Sequence, residues 1–220
     1  MEDLNMRGPN RIVIVRHGES EGNVISPEDI SFFDKPNHAF CLTEKGRQQA
    51  SNAGAYLHRT YNGFDVCFCS TFKRTQETLA RLWRDPLMTP IMDSRLNEIM
   101  RGIWHTLPKE RLLSIFPDEE IVRKREGEYH YRPPAGQSCQ DVEVLIYSFM
   151  ADLRENYNDK DILIAAHGNW MLVFWRLILK KSPEEYEERY RNNKYANCAL
   201  AIYEKNKDHY NLSQDNFVVH

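Results

Sequence analysis

The sequence predicts an α/β protein, a three-layer sandwich in which a mostly parallel central sheet is flanked by helices on both faces. Short apolar runs, typical of buried strands, alternate along the chain with segments of helical period. This alternation of strand and helix is the pattern of crossover connections between parallel strands. With 220 residues, of which 41% are hydrophobic, the chain can bury one sizeable core, so we expect a single domain over residues 1–220.

Four strands are predicted, at residues 11–15, 65–69, 161–166 and 199–203. Cys67 and Cys69 occupy alternate positions of the second strand, which does not fit a metal knuckle. The five cysteines are an odd number without the spacing of a disulfide framework, so we expect a reducing compartment.

Helices are predicted between these strands. In residues 43–58, small and apolar residues share one face, at Gly46, Ala50, Ala53 and Leu57. Capping patterns at Ser138 and Ser182 begin two further helices. The helix after His167 is apolar on nearly all sides and is expected to be buried. Residues 24–41 and 101–134 have weak periodicity, and we interpret both as excursions over the sheet edge that can act as lids.

The charge pattern excludes several classes of partner. The 29 basic and 32 acidic residues give a net charge of −3, and Arg123-Lys124-Arg125 is the longest basic run, so we expect no nucleic acid partner. The most apolar stretch, residues 170–179, is interrupted by Arg176 and is too short to span a membrane. The first residues include Glu2 and Asp3 and lack the apolar core of a secretory signal. We therefore expect a soluble, cytoplasmic protein.

Two histidines follow two of the predicted strands directly. Arg16-His17-Gly18 follows the first strand, and His167-Gly168 follows the third, 150 positions later. The carboxyl ends of parallel strands form the edge of a sheet where ligands bind, so both histidines are expected in one crevice. Arg74 lies in the first helical turn after Ser70 and is expected at the same edge. Arginine forks and helix amides match a phosphate in geometry and charge, which predicts a phosphorylated substrate.

A histidine in such a pocket can also react with the phosphate. A neutral imidazole nitrogen attacks phosphorus when the other ring nitrogen is held protonated by a backbone carbonyl. The leaving alkoxide then requires a proton, and Glu98, in a polar turn after a short extended stretch, is the candidate acid. The chain has neither a Walker motif nor a dinucleotide fingerprint, and this scheme requires no metal.

Together these residues resemble the histidine phosphatase superfamily, in its phosphoglycerate mutase-like branch. The resemblance rests on four motifs in order: residues 16–20 with Asn23, the spacing of Ser70, Arg74 and Thr78, the spacing of Leu96, Glu98, Gly102 and Trp104, and residues 166–169. It extends from residue 11 to about residue 203.

The resemblance implies a role for each matching residue. His17 becomes the transiently phosphorylated nucleophile, Glu98 the proton donor, and His167 a member of the phosphate pocket. The remaining phosphate-binding residues are Arg16, Asn23, Arg74, Gly168 and Asn169, the last of which matches the mutase form of its motif. The predicted site residues are therefore catalytic His17, Glu98 and His167, with these five phosphate contacts and no metal. His38, His105 and His130 are predicted to be surface histidines and are left out of the site.

Three departures favour a phosphatase over a mutase. Gly22 stands at a position where the mutases share a tryptophan, and Arg101 stands where they have a tyrosine. The segment from Gly102 to Gly136 is also shorter than the insertion with which the mutases clamp their substrate. The layout of residues 24–41 and 131–138 is closer to plant and fungal phosphoglycerate mutase-like proteins thought to act as phosphatases, although Gln137 replaces their usual glutamate.

The predicted function is therefore a phosphomonoester hydrolase without a cofactor. The alternative is a phosphoglycerate mutase that depends on 2,3-bisphosphoglycerate, and the third hypothesis is a noncatalytic phosphate-binding scaffold. The partner is a small phosphorylated substrate in the first two cases. A sugar phosphate, a phosphoglycerate, a nucleotide or a phosphoprotein all present the same phosphate group, and the sequence leaves the oligomeric state open.

Overall fold

A six-stranded sheet forms the centre of the computed structural model, which describes residues 7–26, 29–83, 85, 88–207 and 209–219. The strands are β1 (Arg11–Arg16), β2 (Val66–Cys69), β3 (Ile91–Met92), β4 (Asp161–Ala166), β5 (Leu200–Lys205) and β6 (Tyr210–Phe217). The interpretation of Glu2 and Asp3 falls on residues that lie outside the described part of the chain.

The strand order is β3-β2-β4-β1-β5-β6. The first four strands in that order are parallel to one another, which confirms the predicted mostly parallel sheet. β5 and β6 are antiparallel to their neighbours and make the sheet mixed. All four predicted strands are present, and β6 at the edge of the sheet takes in Phe217 of the apolar ending.

Eight α-helices are found in the described residues. They are α1 (Glu21–Val24), α2 (Glu44–Thr60), α3 (Lys73–Leu82), α4 (Lys109–Ile115), α5 (Glu119–His130), α6 (Cys139–Asn156), α7 (Gly168–Ile178) and α8 (Pro183–Asn192). The predicted capping boxes at Ser138 and Ser182 are formed, each with the side chain three residues later. The helix after His167, now α7, is buried over most of its length as expected.

Alternate residues of the central strands face two separate apolar layers. Ile12 and Ile14 of β1 pack into one cluster, which is completed by α6, α7 and Tyr186 of α8. Val13 and Val15 face the other cluster, where Ala50, Ala53 and Leu57 of α2 and Leu79 of α3 pack against the sheet. The sheet is therefore covered on both faces, as the three-layer prediction required.

The two excursions contain short helices that reach the sheet edge. The first begins at the last residue of α1 and holds two 3₁₀ turns, Ile30–Phe33 and Asn37–Ala39. The second holds the 3₁₀ turn Gly102–His105 with α4 and α5, and α5 packs against α6 and α8. Among the described helices, none has the length and apolar character needed to cross a membrane.

The cysteines are all unpaired. Cys67 and Cys69 are buried in β2, as the sequence predicted for alternate positions of a strand. Burial in apolar surroundings raises the pKa of both thiols to about 12, so they are held as thiols.

Candidate active site

His17 follows β1 and is almost fully buried. Its Nδ1 lies 2.7 Å from the carbonyl oxygen of Gly18, and because a carbonyl only accepts, Nδ1 carries the proton and donates it. The lone pair of this imidazole is therefore on Nε2. The ring orientation and tautomer match those expected of a nucleophile.

Gly18 fixes the loop that carries His17. A Cβ on Gly18 would lie 2.4 Å from the carbonyl oxygen of Gly46 in α2, which is closer than any side chain allows. The Gly18 amide also donates to the hydroxyl of Thr78 in α3, at 3.1 Å. The loop is thus clamped between two helices, and the small residue predicted at position 46 serves this close approach.

His167 caps the start of α7 and is completely buried. Its Nδ1 is 3.1 Å from Nη2 of Arg74, and because guanidinium nitrogens only donate, Nδ1 is the acceptor. The proton is therefore on Nε2, which lies 2.8 Å from the hydroxyl of Ser70. That hydroxyl donates in turn to Oδ1 of Asn97, at 2.8 Å. A chain of hydrogen bonds thus fixes the tautomer of His167.

The two histidines lie side by side because β1 and β4 are paired in the sheet. Arg16 is the register partner of Ala166, and the His17 amide donates to the Ala166 carbonyl at 3.0 Å. The ring centroids are 5.3 Å apart with an angle of 62° between the ring planes. Burial, together with the positive charges of Arg74 and Arg16, holds the pKa of both imidazoles well below 6.5, so both are neutral.

Two arginines approach the same point. Arg74 lies over the ring of Phe72, with 4.9 Å from its guanidinium carbon to the ring centroid, and donates to the carbonyl of Asn37. Burial lowers the pKa of Arg74 to about 10. Arg16 donates to the carbonyl of Tyr195, and within the described residues its buried Nε has no hydrogen-bond partner. That Nε is a donor available to an anion.

Gly168 lies directly against Arg16. A Cβ at this position would be 3.2 Å from the Arg16 Nε, so a larger residue would crowd the guanidinium group. Gly168 therefore leaves the space that the guanidinium group of Arg16 occupies.

Glu98 is half-buried and lies at the N-terminus of α7. Its Oε1 accepts hydrogen bonds from the amides of Ile99 and Trp170, at 3.0 and 3.2 Å, and its Oε2 accepts one from Asn169, at 3.3 Å. Glu98 and the histidines thus meet at α7, although the sequence separates them widely.

Asn23 lies at the cavity and also stabilises the start of α1. Its Oδ1 accepts from the amide and hydroxyl of Ser20, which closes the capping box of α1, and from Nδ2 of Asn197 at 3.2 Å. Asn197 also donates to the carbonyl of His17, so Asn23 braces the loop of the nucleophile.

These side chains surround one cavity of about 360 Å³. Seven of the eight predicted site residues line it, and His167 is the exception because it lies behind Arg74. The lining residues that the sequence interpretation missed are Ser20, Gly22, Phe32, Asn37, Phe40, Arg101, Trp104, His105, Lys194 and Tyr195.

His105 differs from the expectation of a surface histidine. It lines the cavity, and its ring lies 4.9 Å from that of Phe32. Burial, Arg101 and Arg74 lower its pKa. Weak periodicity around residue 105 gave no signal for this position, which depends on how the two excursions pack against each other. Among the described residues, no group of three potential metal ligands is found.

Comparison with known proteins identifies the family. The family model described as the histidine phosphatase superfamily (branch 1) matches residues 12–217. The chain belongs to the histidine phosphatase superfamily. The match spans both histidines and all of the cavity-lining residues, in agreement with the motif interpretation.

Relatives of this histidine phosphatase chain include proteins named as phosphoglycerate mutases or as mutase-like. The 2,3-bisphosphoglycerate-dependent phosphoglycerate mutase of Nitrobacter winogradskyi is 32% identical over 202 residues, covering 90% of this chain and 92% of that protein. The phosphoglycerate mutase-like protein AT74 of Arabidopsis thaliana is 30% identical over 200 residues, covering 81% of this chain; the chain spans 60% of its length.

A solved structure confirms the fold. The alpha-ribazole phosphatase from Shigella flexneri superposes with a TM-score of 0.75 at 21% identity, covering 94% of this chain and 96% of that one. The phosphoglycerate mutase-like three-layer architecture is thus shared with a protein named as a phosphatase.

Proposed function

We propose that this chain is a phosphomonoester hydrolase that works through a phosphohistidine on His17. The observation that carries the proposal is the tautomer of His17. The Gly18 carbonyl holds the proton on Nδ1 and leaves the Nε2 lone pair beside two arginines in a cavity of small-molecule size.

In the first step, Nε2 of His17 attacks phosphorus, a nitrogen–phosphorus bond forms and the ester phosphorus–oxygen bond breaks. Arg16 and Arg74 neutralise the charge on the oxygens of the transferring group. Glu98 gives a proton to the leaving alkoxide, which departs as an alcohol. His167 accepts a hydrogen bond from Arg74 and keeps that guanidinium beside the nucleophile.

In the second step, water attacks the phosphohistidine. Glu98, now a carboxylate, takes a proton from the water, the nitrogen–phosphorus bond breaks, and inorganic phosphate leaves. Both His17 and Glu98 return to their starting states. One carboxyl group therefore serves as acid in one step and base in the next.

The choice of hydrolase over mutase is supported by the cavity mouth. A Cβ on Gly22 would lie 2.8 Å from the ring of Phe40. The tryptophan that the mutases have at this position therefore does not fit beside Phe40. Arg101 replaces their tyrosine on the same cavity wall. A mutase has to retain its substrate and exclude water between steps, and this altered mouth favours release.

The mutase remains the second candidate because of the 32% identity to the Nitrobacter enzyme. Phosphorus NMR with 3-phosphoglycerate and catalytic 2,3-bisphosphoglycerate separates the two. We expect inorganic phosphate to accumulate, in the presence of EDTA as well, since the scheme requires no metal. Growth of 2-phosphoglycerate without free phosphate would make the protein a mutase.

The nucleophile is tested in the same assay by His17→Ala, with His130→Ala as the matched control because His130 is exposed on α5. We expect His17→Ala to abolish turnover and acid-labile labelling by the phosphorylated substrate, with the fold retained, and His130→Ala to keep both. Substantial phosphate release by His17→Ala would remove His17 from the mechanism.

A further inference from the structure

The cavity beside His17 holds more positive charge than one phosphate group uses. Arg16, Arg74, Arg101 and Lys194 line it, and Glu98 is the acidic residue among the lining residues. A phosphomonoester carries a charge of about −1.5 to −2 at neutral pH, which Arg16 and Arg74 balance. The proposed mechanism therefore uses neither Arg101 nor Lys194.

Arg101 stands where three cavities meet. It lines the His17 cavity, a neighbouring cavity of about 60 Å³ and a cleft of about 540 Å³ beside α5 and α8. In the part of the chain that the structure describes, no carboxylate forms an ion pair with Arg101, and Tyr190 lines two of these three cavities together with it. The nearby Glu128 is already paired with Arg123, at 2.7 Å.

Lys194 lies against the ring of Tyr190. Its Nζ is 3.8 Å from the centroid of the Tyr190 ring, and among the described residues it too forms no ion pair. The loss of hydration and the positive charges of Arg101, Arg123 and Arg16 lower its pKa, and the carboxylate of Glu128 opposes this shift. Arg101 and Lys194 thus both lie near Tyr190, and neither forms an ion pair among the described residues.

Neighbouring cations in the cleft differ in this respect. Lys109 and Lys124 both pair with Glu120, and Arg191 lies 3.9 Å from Glu187. All three residues of the basic run at positions 123–125 therefore form ion pairs with neighbouring carboxylates. The uncompensated charge is concentrated at Arg101 and Lys194, on the wall that the substrate phosphate shares.

We propose that Arg101 and Lys194, which line the cavity of His17, form a second anion-binding point, so that the substrates are phosphomonoesters with a further negative group, a carboxylate or a second phosphate. This inference rests on the proposed function, whose phosphate position at His17 it extends. An arginine at a cavity mouth gives bidentate recognition of a planar carboxylate or a phosphate, which a tyrosine at the same position does not.

Matched ligand pairs test the second point without requiring turnover. Glycerol 3-phosphate and 3-phosphoglycerate differ by a carboxylate, and fructose 6-phosphate and fructose 1,6-bisphosphate differ by a phosphate. Calorimetry in a His17→Ala background measures their affinities. We expect the more anionic member of at least one pair to bind about tenfold more tightly or better, and the pair that shows it identifies the second group.

Arg101→Gln and Lys194→Gln on that background are expected to reduce the preference to within about twofold. Arg125→Gln is the matched control, since Arg125 is exposed on α5 and lines none of these three cavities. Equal affinities within both pairs, or a preference that survives Arg101→Gln, would overturn the second anion point. Phosphate release by the unsubstituted protein is measured separately, so a failure of the hydrolase proposal is seen on its own.

Discussion

Replacing Ser70 by alanine tests the hydrogen bonds that fix His167. The Ser70 hydroxyl donates to Asn97 and accepts from Nε2 of His167 and from the amide of Phe72, at 2.8, 2.8 and 3.2 Å. In Ser70→Ala, the buried Nε2–H of His167 loses its acceptor. The imidazole cannot recover by moving the proton to Nδ1, because Nδ1 faces the donor group of Arg74.

The expected loss of stability follows from these contacts. One buried donor without a partner costs about 1–3 kcal/mol, and the partly buried Phe72 amide adds to it, so the free energy of unfolding falls by about 2–4 kcal/mol. The free energy of unfolding of a native domain is usually about 5–15 kcal/mol, so we expect the variant to stay folded. The freed His167 no longer holds Arg74 in place, and we expect kcat/KM to fall about tenfold to a hundredfold.

Urea unfolding and phosphate release from 3-phosphoglycerate measure the two effects. Ser51→Ala is the matched control, because Ser51 is an exposed serine on α2 whose hydroxyl donates to the carbonyl of Arg47. It is expected to change both quantities little. A Ser70→Ala protein within about 0.5 kcal/mol of the unsubstituted one, with unchanged kcat/KM, would show that the Ser70 hydroxyl does not fix His167.

Two further predictions concern protons. Burial and the nearby arginines lower the pKa of His17 and His167 in the folded protein. As the pH falls, these histidines therefore take up protons in the unfolded chain before they do so in the folded one. The free energy of unfolding is expected to be constant above about pH 6.5 and to decrease below it, by up to about 1.4 kcal/mol per pH unit for each histidine. Urea titrations from pH 7.5 to 5 check this, and His167→Asn is expected to flatten the slope, whereas an unchanged slope would contradict the assignment. Glu98→Gln is expected to slow alkyl phosphates far more than aryl phosphates, since a phenolate leaves without a proton; equal losses on both would indicate that Glu98 binds rather than donates.

The strands that carry the site could be predicted from sequence because their signal is local. Residues 12–15 and 162–166 are apolar without interruption, as expected of strands buried on both faces, and a His-Gly pair follows each of them. β5 was predicted as a strand but not as antiparallel, since the direction of a strand depends on the path of the chain and leaves no mark on its composition. β6 has alternating burial and many polar residues, which is typical of an edge strand and gives a weak apolar signal.

The walls of the site could not be predicted in the same way. Tyr195 contributes a backbone carbonyl to Arg16, and any residue type carries that group. Asn97 acts on His167 through Ser70, a relation that exists only once β2 and β4 are paired. His105 and Phe40 meet because two excursions with weak periodicity pack together. Long-range packing, rather than local pattern, decided each of these positions.

The position of β1 in the sheet also affects the order in which the site can assemble during synthesis. Its two neighbours, β4 and β5, both follow residue 160, so the fully apolar core of β1 has no strand to pair with while the first 160 residues emerge. Pairing of such distant segments is slow and exposes apolar edges in the meantime. A nascent chain that ends before β4 therefore carries His17 but neither the neighbouring strands of β1 nor His167 beside it. Under the proposed function, we expect phosphate chemistry to begin only when residues from 161 onward have joined β1.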